Sequence, residues 1–279
     1  YNKSDFYDLF GPTKVSRKGY SMGVKVHDYL VYDRPTMLEY TISLAGYGGL
    51  ERLPDFQNVA VSFDRFFLGR AQIRYSRLLR TLGAVEYEKG FSATLQTEQT
   101  FVRSTLDPRI FANVDAGMLL PWRHSTLWLR SSVGHSFGRR QETFANFYFG
   151  GFGNNWIDYQ DARRYREYYS FPGVGLNAIG GTTYAKTLLE GNLPPLRFRR
   201  LGVPSFYCTY ASAALFVGGI VTQPGRSGGA VYGNAGAQVD VRLVLFSLLE
   251  STLSFGSAVA ARVDHQPSPE FMISLKLLK

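Results

Sequence analysis

The sequence predicts an all-β fold: a transmembrane antiparallel β-barrel of about 12–16 strands with a long inward-folded loop. Three observations predict it. Apolar residues recur at every second position along most of the chain, whereas no segment shows the period and caps of an amphipathic helix. Several alternating runs exceed the ~5–6 residues of an ordinary strand and match the ~9–11 residues needed to cross a bilayer. The phase opposite the apolar one is small or charged, rich in Gly and Ser. In lipid every backbone group must be paired, so a sheet spans only by closing on itself.

The elements follow in order. Tyr20, Met22, Val24 and Val26 alternate with Gly19, Ser21, Gly23 and Lys25 in a strand expected over 17–28. Leu38, Tyr40, Ile42 and Leu44 mark 36–47, and further strands are expected at 58–67, 70–80 and 89–102. Ala112, Val114, Ala116, Met118 and Leu120 mark 110–121; 124–137, 143–150 and 180–192 come next. Strands at 206–222, 229–246, 250–263 and 270–279 close the chain, the last carrying Phe271, Ile273, Leu275 and Leu277. Residues 1–10 read as the end of another. Short connections such as Ser247–Glu250 alternate with longer ones such as Thr222–Gly228, as in a barrel with two unlike ends. No repeat of roughly 40–50 residues occurs, which argues against a propeller.

The alternation stops from Gly150 to Gly180, inside a stretch that runs from Phe147 to Leu196. An insertion of that length is uncommon in a compact domain and is either functional or disordered. This one is rich in Tyr, Trp, Phe and Arg, which argues against disorder. It is expected to fold back against the rest of the chain.

The net charge of +9 points to an anionic partner. The basic residues are spread along the chain rather than gathered in a tail, so no nucleic acid is expected. The single cysteine, Cys208, excludes an internal disulfide and a cysteine-cluster metal site. No apolar run is long enough for a transmembrane helix. A chain that opens at Tyr1 without a targeting region reads as the C-terminal part of a longer protein. Gly19-Tyr20-Ser21-Met22-Gly23 spells G-x-S-x-G, but inside an alternating strand rather than on a strand–turn–helix elbow. His27, His124, His135 and His265 lack metal-ligand spacing. His135 and Ser136 are adjacent in a strand and therefore point to opposite faces. The expectation is a chain with no catalytic residues, no cofactor and no metal. Asp115, Arg130, Lys186, Glu190, Asp240 and Arg242 fall on the polar phase, where they would pair, hold a folded-in loop or set pore selectivity.

FYFGG, a long excursion, IGG, then an alternating strand with Glu190 and PPL follow one another here. This succession resembles the C-terminal barrel of the Omp85 superfamily, the bacterial surface antigen group of outer-membrane insertases and transporters, over at least residues 110–279. The resemblance implies that Gly150 and Gly151 lead into a loop that enters the lumen and carries an arginine at its tip. It implies an acidic residue on the next strand, five strands from there to the end, and a seam between the first strand and the last, Phe271–Leu278. The family's Arg-Gly-aromatic tip is altered: Arg163-Arg164-Tyr165-Arg166 is one counterpart, Ser170-Phe171-Pro172-Gly173 the other. A buried arginine needs a partner, and a carboxylate can hold it bidentately. One of Arg163, Arg164 or Arg166 is therefore expected to meet Glu190 or Asp240, both on the polar phase. The resemblance further implies residence in the bacterial outer membrane, contact with its lipid and lipopolysaccharide, and nascent outer-membrane proteins or periplasmic proteins as partners. The implied role is protein insertion, protein transport or lipid transport. The alternative expectation is a membrane anchor or porin-like passive channel for an N-terminal binding or propeller domain.

Overall fold

The computed structural model describes residues 2–6, 17–49, 63–152, 157–158, 163–225, 228–262 and 266–277. The strands are β1 (Asn2–Phe6), β2 (Arg17–Asp33), β3 (Thr36–Gly48), β4 (Phe66–Leu79), β5 (Lys89–Val102), β6 (Thr105–Leu119), β7 (Thr126–Ser136), β8 (Phe147–Phe149), β9 (Ile157–Asp158), β10 (Ile179–Gly181), β11 (Thr183–Asn192), β12 (Leu196–Val203), β13 (Phe206–Thr222), β14 (Ala230–Leu245), β15 (Leu249–Arg262) and β16 (Ser268–Leu277). Two 3-10 turns, Thr143–Ala145 and Arg164–Arg166, are the only helical segments among the described residues.

Fourteen strands form one sheet, in the order β1 to β7, β11, β13 to β16, β9, with β12 added to β13. All its pairings are antiparallel except the two-residue contact of β9 with β16. β8 and β10 form a separate ladder at the stem of the excursion. Most neighbours along the chain are neighbours in the sheet, several of them through short connections. Three are two residues long, Arg34-Pro35, Arg103-Ser104 and Pro204-Ser205; in Arg103-Ser104 both residues take positive φ, as in the favoured two-residue hairpin turn. β11 and β12 behave as one strand broken at Pro194-Pro195, which lack the N–H a ladder needs. Among the described residues no pairing joins β1 to β16.

Several expected boundaries move. No break separates 58–67 from 70–80: β4 is continuous, and Gly69 sits in the ladder opposite Leu44 and Gln99. Residues 63–65 are not strand, and 58–62 lie outside the described residues. The expected strand 143–150 shrinks to β8, because the chain makes a 3-10 turn first and then pairs with β10. β12 is missing from the alternation pattern, since Arg197, Arg199 and Arg200 interrupt it. The end of the expected strand 270–279, residues 278–279, lies outside the described residues.

The two faces of the sheet are inverted relative to a water-soluble core. Phe91, Ala116, Leu129, Leu189, Val217, Ala235 and Val259 are consecutive cross-strand partners from β5 to β15. Leu129 is 49% exposed and Val217 51%. The opposite face carries Glu98, Glu190, Gln238, Asp240 and Ser254, all buried. That face is curled around a filling. Arg74 on β4 and Lys276 on β16 line the same cavity of about 590 Å³. On a flat sheet those strands would stand eight spacings apart, roughly 38 Å at ~4.8 Å each.

Candidate functional site

The excursion between β7 and β11 supplies the filling. At its root Gly150 and Gly151 take φ +150° and +68°, which a β-carbon would strain. Gly151 exchanges both backbone hydrogen bonds with Phe171 at 3.1 Å. Phe171 is buried in a cluster with Phe147, Phe149, Ile179 and Tyr184, which seals the stem. Deeper in, Tyr165 stacks on Phe216 of β13 with ring centroids 4.3 Å apart, beside Ala214 and Ala258. Small side chains on the sheet leave the room that these aromatics occupy. On the other wall Tyr168 stacks on Phe111 of β6.

Arginines carry the polar half of the contact. Arg166 grips Glu190 bidentately, Nε to Oε2 at 3.0 Å and Nη2 to Oε1 at 2.5 Å, and also reaches Glu86 at 2.7 Å. Glu190 accepts a further bond from Arg130 Nε at 2.9 Å, and Arg130 lies 3.1 Å from Asp115. Arg163 takes the second acid: its Nε lies 3.2 Å from Asp240 and 3.3 Å from Glu86. Its Nη1 donates to Asn192 at 2.6 Å and to Tyr165 Oη at 3.0 Å. Both acids singled out from the sequence are thus met, each by a different arginine. Arg164, between them, is buried as well. Burial pushes the Tyr165 phenol up to about 12, so it stays a neutral acceptor for Arg163. Burial also acts to raise the Glu86 carboxyl, but Arg166 and then Arg163 outweigh it and hold the group below the usual carboxylate range.

Three more fastenings have strand-borne side chains gripping backbone. Lys186 Nζ donates to the carbonyls of Glu167, Tyr168 and Ser170 at 3.0, 2.9 and 2.6 Å. Asn234 Nδ2 donates to Pro172 O at 3.0 Å. Glu270, on the last strand, accepts from the N–H of Phe152 at 3.1 Å and of Gly173 at 2.7 Å. Gly173 has φ +93°, and a β-carbon there would stand 2.4 Å from Ala260 N of β15. At Gly173 the excursion therefore packs directly against the backbone of β15. Glu270→Ala is expected to cost about 2 kcal/mol, since two amides lose a charged acceptor. Amide hydrogen exchange should rise at Phe152 and Gly173 and stay unchanged at Tyr165. Unchanged protection at both amides would remove the fastening from the account.

The sequence pattern placed Lys186 on the polar phase but not its acceptors, which are backbone. Glu270 shares that phase in β16, so its position was readable and its role was not. Glu86 lies in the β4–β5 connection, where no periodicity tells a residue's direction. A second ion-pair group, Arg70–Glu98–Arg109 with Gln96, crosses β4 to β6 under Tyr168. His135 bonds Thr183 while Ser136 is buried on the other face, so the two do not form a dyad. Among the described residues no three His, Cys, Asp or Glu side chains are grouped to hold a metal ion.

The fold and the site together define an all-β protein with a large antiparallel sheet, curled around a segment of its own chain that buried ion pairs hold in place. No protein-family model and no curated protein matches this chain.

Proposed function

We propose that the protein is a transmembrane β-barrel of the bacterial outer membrane, related to the Omp85 superfamily, with the excursion as its lumen loop. The observation that carries this reading is the inverted sheet: a continuous apolar band faces outward while carboxylates, arginines and glutamines are buried. In water such a band would be a large unpartnered apolar surface; in lipid it is the solvated face. Aromatics gather near both ends of the outward strands. Tyr20, Phe67, Phe101, Phe137 and Phe271 stand exposed at one end, with Tyr32, Trp122, Phe206 and Phe246 at the other. Such girdles mark the two membrane interfaces. Among the described residues no helix is long and apolar enough to cross a membrane, so the strands alone would span.

On this reading the protein is not an enzyme, and its role is protein insertion, protein translocation or lipid transport across the outer membrane. One test uses the single cysteine. In a Cys208→Ser background, a fluorophore at Leu129→Cys should be quenched by brominated acyl chains, and one at Arg74→Cys, on the cavity wall, should not. Equal quenching at the two sites would sink the barrel. The insertion role is tested separately, by whether proteoliposomes accelerate folding of a small denatured outer-membrane protein.

The density of fastenings favours a second reading, a membrane anchor or passive channel for another domain. A plug held by buried ion pairs at β11 and β14 does not move without breaking them. Stable membrane insertion without accelerated client folding would select that reading.

A further inference from the structure

A second cavity, of about 450 Å³, opens where β7 and β13 end and β11 begins, at the end of the sheet from which the excursion departs. Its volume falls within the ~300–1,000 Å³ of small-molecule sites. Hydrogen bonds just past the strand ends build its wall: Ser136 N donates to Thr182 O at 2.7 Å and Gln223 N to Thr183 O at 2.8 Å. Ser136, Thr182 and Gln223 all line the cavity, and all three are buried. The chain after β7 forms the lip. Gly138 N donates to Ser136 Oγ at 3.3 Å, and Arg140 crosses to the β13–β14 connection. A β-carbon on Gly228 there would stand 2.8 Å from Arg140 Nη1, so the glycine leaves the room that the guanidinium occupies.

This wall mixes donors with acceptors. Gln223 Oε1 is buried without a hydrogen-bond partner among the described residues, which is costly unless a donor reaches it. Ser136 Oγ is the acceptor in its bond to Gly138, which leaves the hydroxyl hydrogen to donate. His135 bonds Thr183 Oγ1 through Nδ1 at 2.8 Å, which fixes the ring and leaves Nε2 as its second polar edge. Phe137 is 68% exposed and stands edge-on to His135, with ring centroids 4.8 Å apart. A phosphate dianion could use the donors but offers nothing to the Gln223 oxygen, because it only accepts. A sugar ring does both: its hydroxyls donate and accept, and its C–H face packs on an aromatic ring.

We propose that this cavity is a binding site for a saccharide ring, presented either by a free sugar or by the headgroup of a glycolipid. The site is defined by the strand ends and the lip, and it does not require the sheet to lie in a membrane. The test uses the fluorescently labelled full chain, in a detergent without a sugar headgroup, on an array of neutral, amino and phosphorylated glycans. The chain is expected to bind a subset of the neutral or amino glycans, and the same glycan in solution should displace it. Gln223→Met keeps the side-chain length, removes the carboxamide and should weaken that binding about tenfold, the loss of one to two hydrogen bonds. Phe137→Ala removes an exposed ring, leaves the fold intact and should weaken binding severalfold. Arg199→Gln, exposed on β12 at the other end of the sheet, should leave it unchanged. Micelles of dephosphorylated lipopolysaccharide, with phosphatidylcholine as the blank, separate the sources. Binding to these micelles with an empty array assigns a glycolipid headgroup, and binding to the array assigns a free saccharide. Binding to neither overturns the proposal. So does equal affinity in wild type, Gln223→Met and Phe137→Ala, or binding confined to phosphorylated glycans.

Discussion

Glu190→Ala is expected to destabilise the protein by about 3–5 kcal/mol, the range for a buried pair that loses one partner. Glu190 is fully buried, and its carboxylate is shared by Arg166 and Arg130, with Arg163 at 4.0 Å. Removing it leaves Arg166 with Glu86 and Arg130 with Asp115, and the excursion loses its bidentate hold on β11. The variant should therefore unfold at lower denaturant and expose the arginines of Arg163–Arg166 to trypsin before the sheet opens. Glu190→Gln keeps the shape and one acceptor but not the charge, and should fall between the two. A loss under 1 kcal/mol, the value of an exposed ion pair, would show that the excursion is not anchored here.

The second large effect separates membrane from water. Leu129→Arg places a charge in the middle of the outward apolar row. If that face meets lipid, the change should cost ~2–4 kcal/mol, whereas Phe246→Arg at a turn should cost ~0–1. If the face meets water, an exposed Leu→Arg change stays within about 0.5 kcal/mol and improves solubility. Folding titrations into liposomes read the difference directly. Equal costs at Leu129 and Phe246 would count against the proposed barrel.

How much of this was legible in the sequence depends on the range of each interaction. Period two is local, so the alternation of Leu38 to Leu44 or of Phe271 to Ile273 sufficed to place strands and assign faces. Glu190, Asp240, Lys186 and Arg130 went to the buried face for the same reason. Alternation fails where sequence is irregular for a structural purpose, as at Pro194-Pro195 and the arginines of β12. Which arginine meets which acid is a non-local fact, and the answer divides the roles: Arg166 with Glu190, Arg163 with Asp240. Backbone partners carry no side-chain signature, so the grips of Lys186, Asn234 and Glu270 on the excursion were invisible.

The fastenings also differ in how far apart their partners lie along the chain. Lys186 grips Ser170 across 16 residues and Arg166 meets Glu190 across 24. Arg163 reaches Ser212 across 49 and Asn234 reaches Pro172 across 62. Glu270 closes spans of 97 and 118 residues to Gly173 and Phe152. Longer spans carry a larger closure entropy, and long-range contacts form later on average. We therefore expect the excursion to dock first on β11 and to be zipped outward, strand by strand, until β16 arrives. In pulse-labelling during refolding, the amides of Phe152 and Gly173 should be the last in the excursion to gain protection, and protection there before the Arg166 region would reverse the order. β16 then works as a closing stitch that decides when the filling is locked.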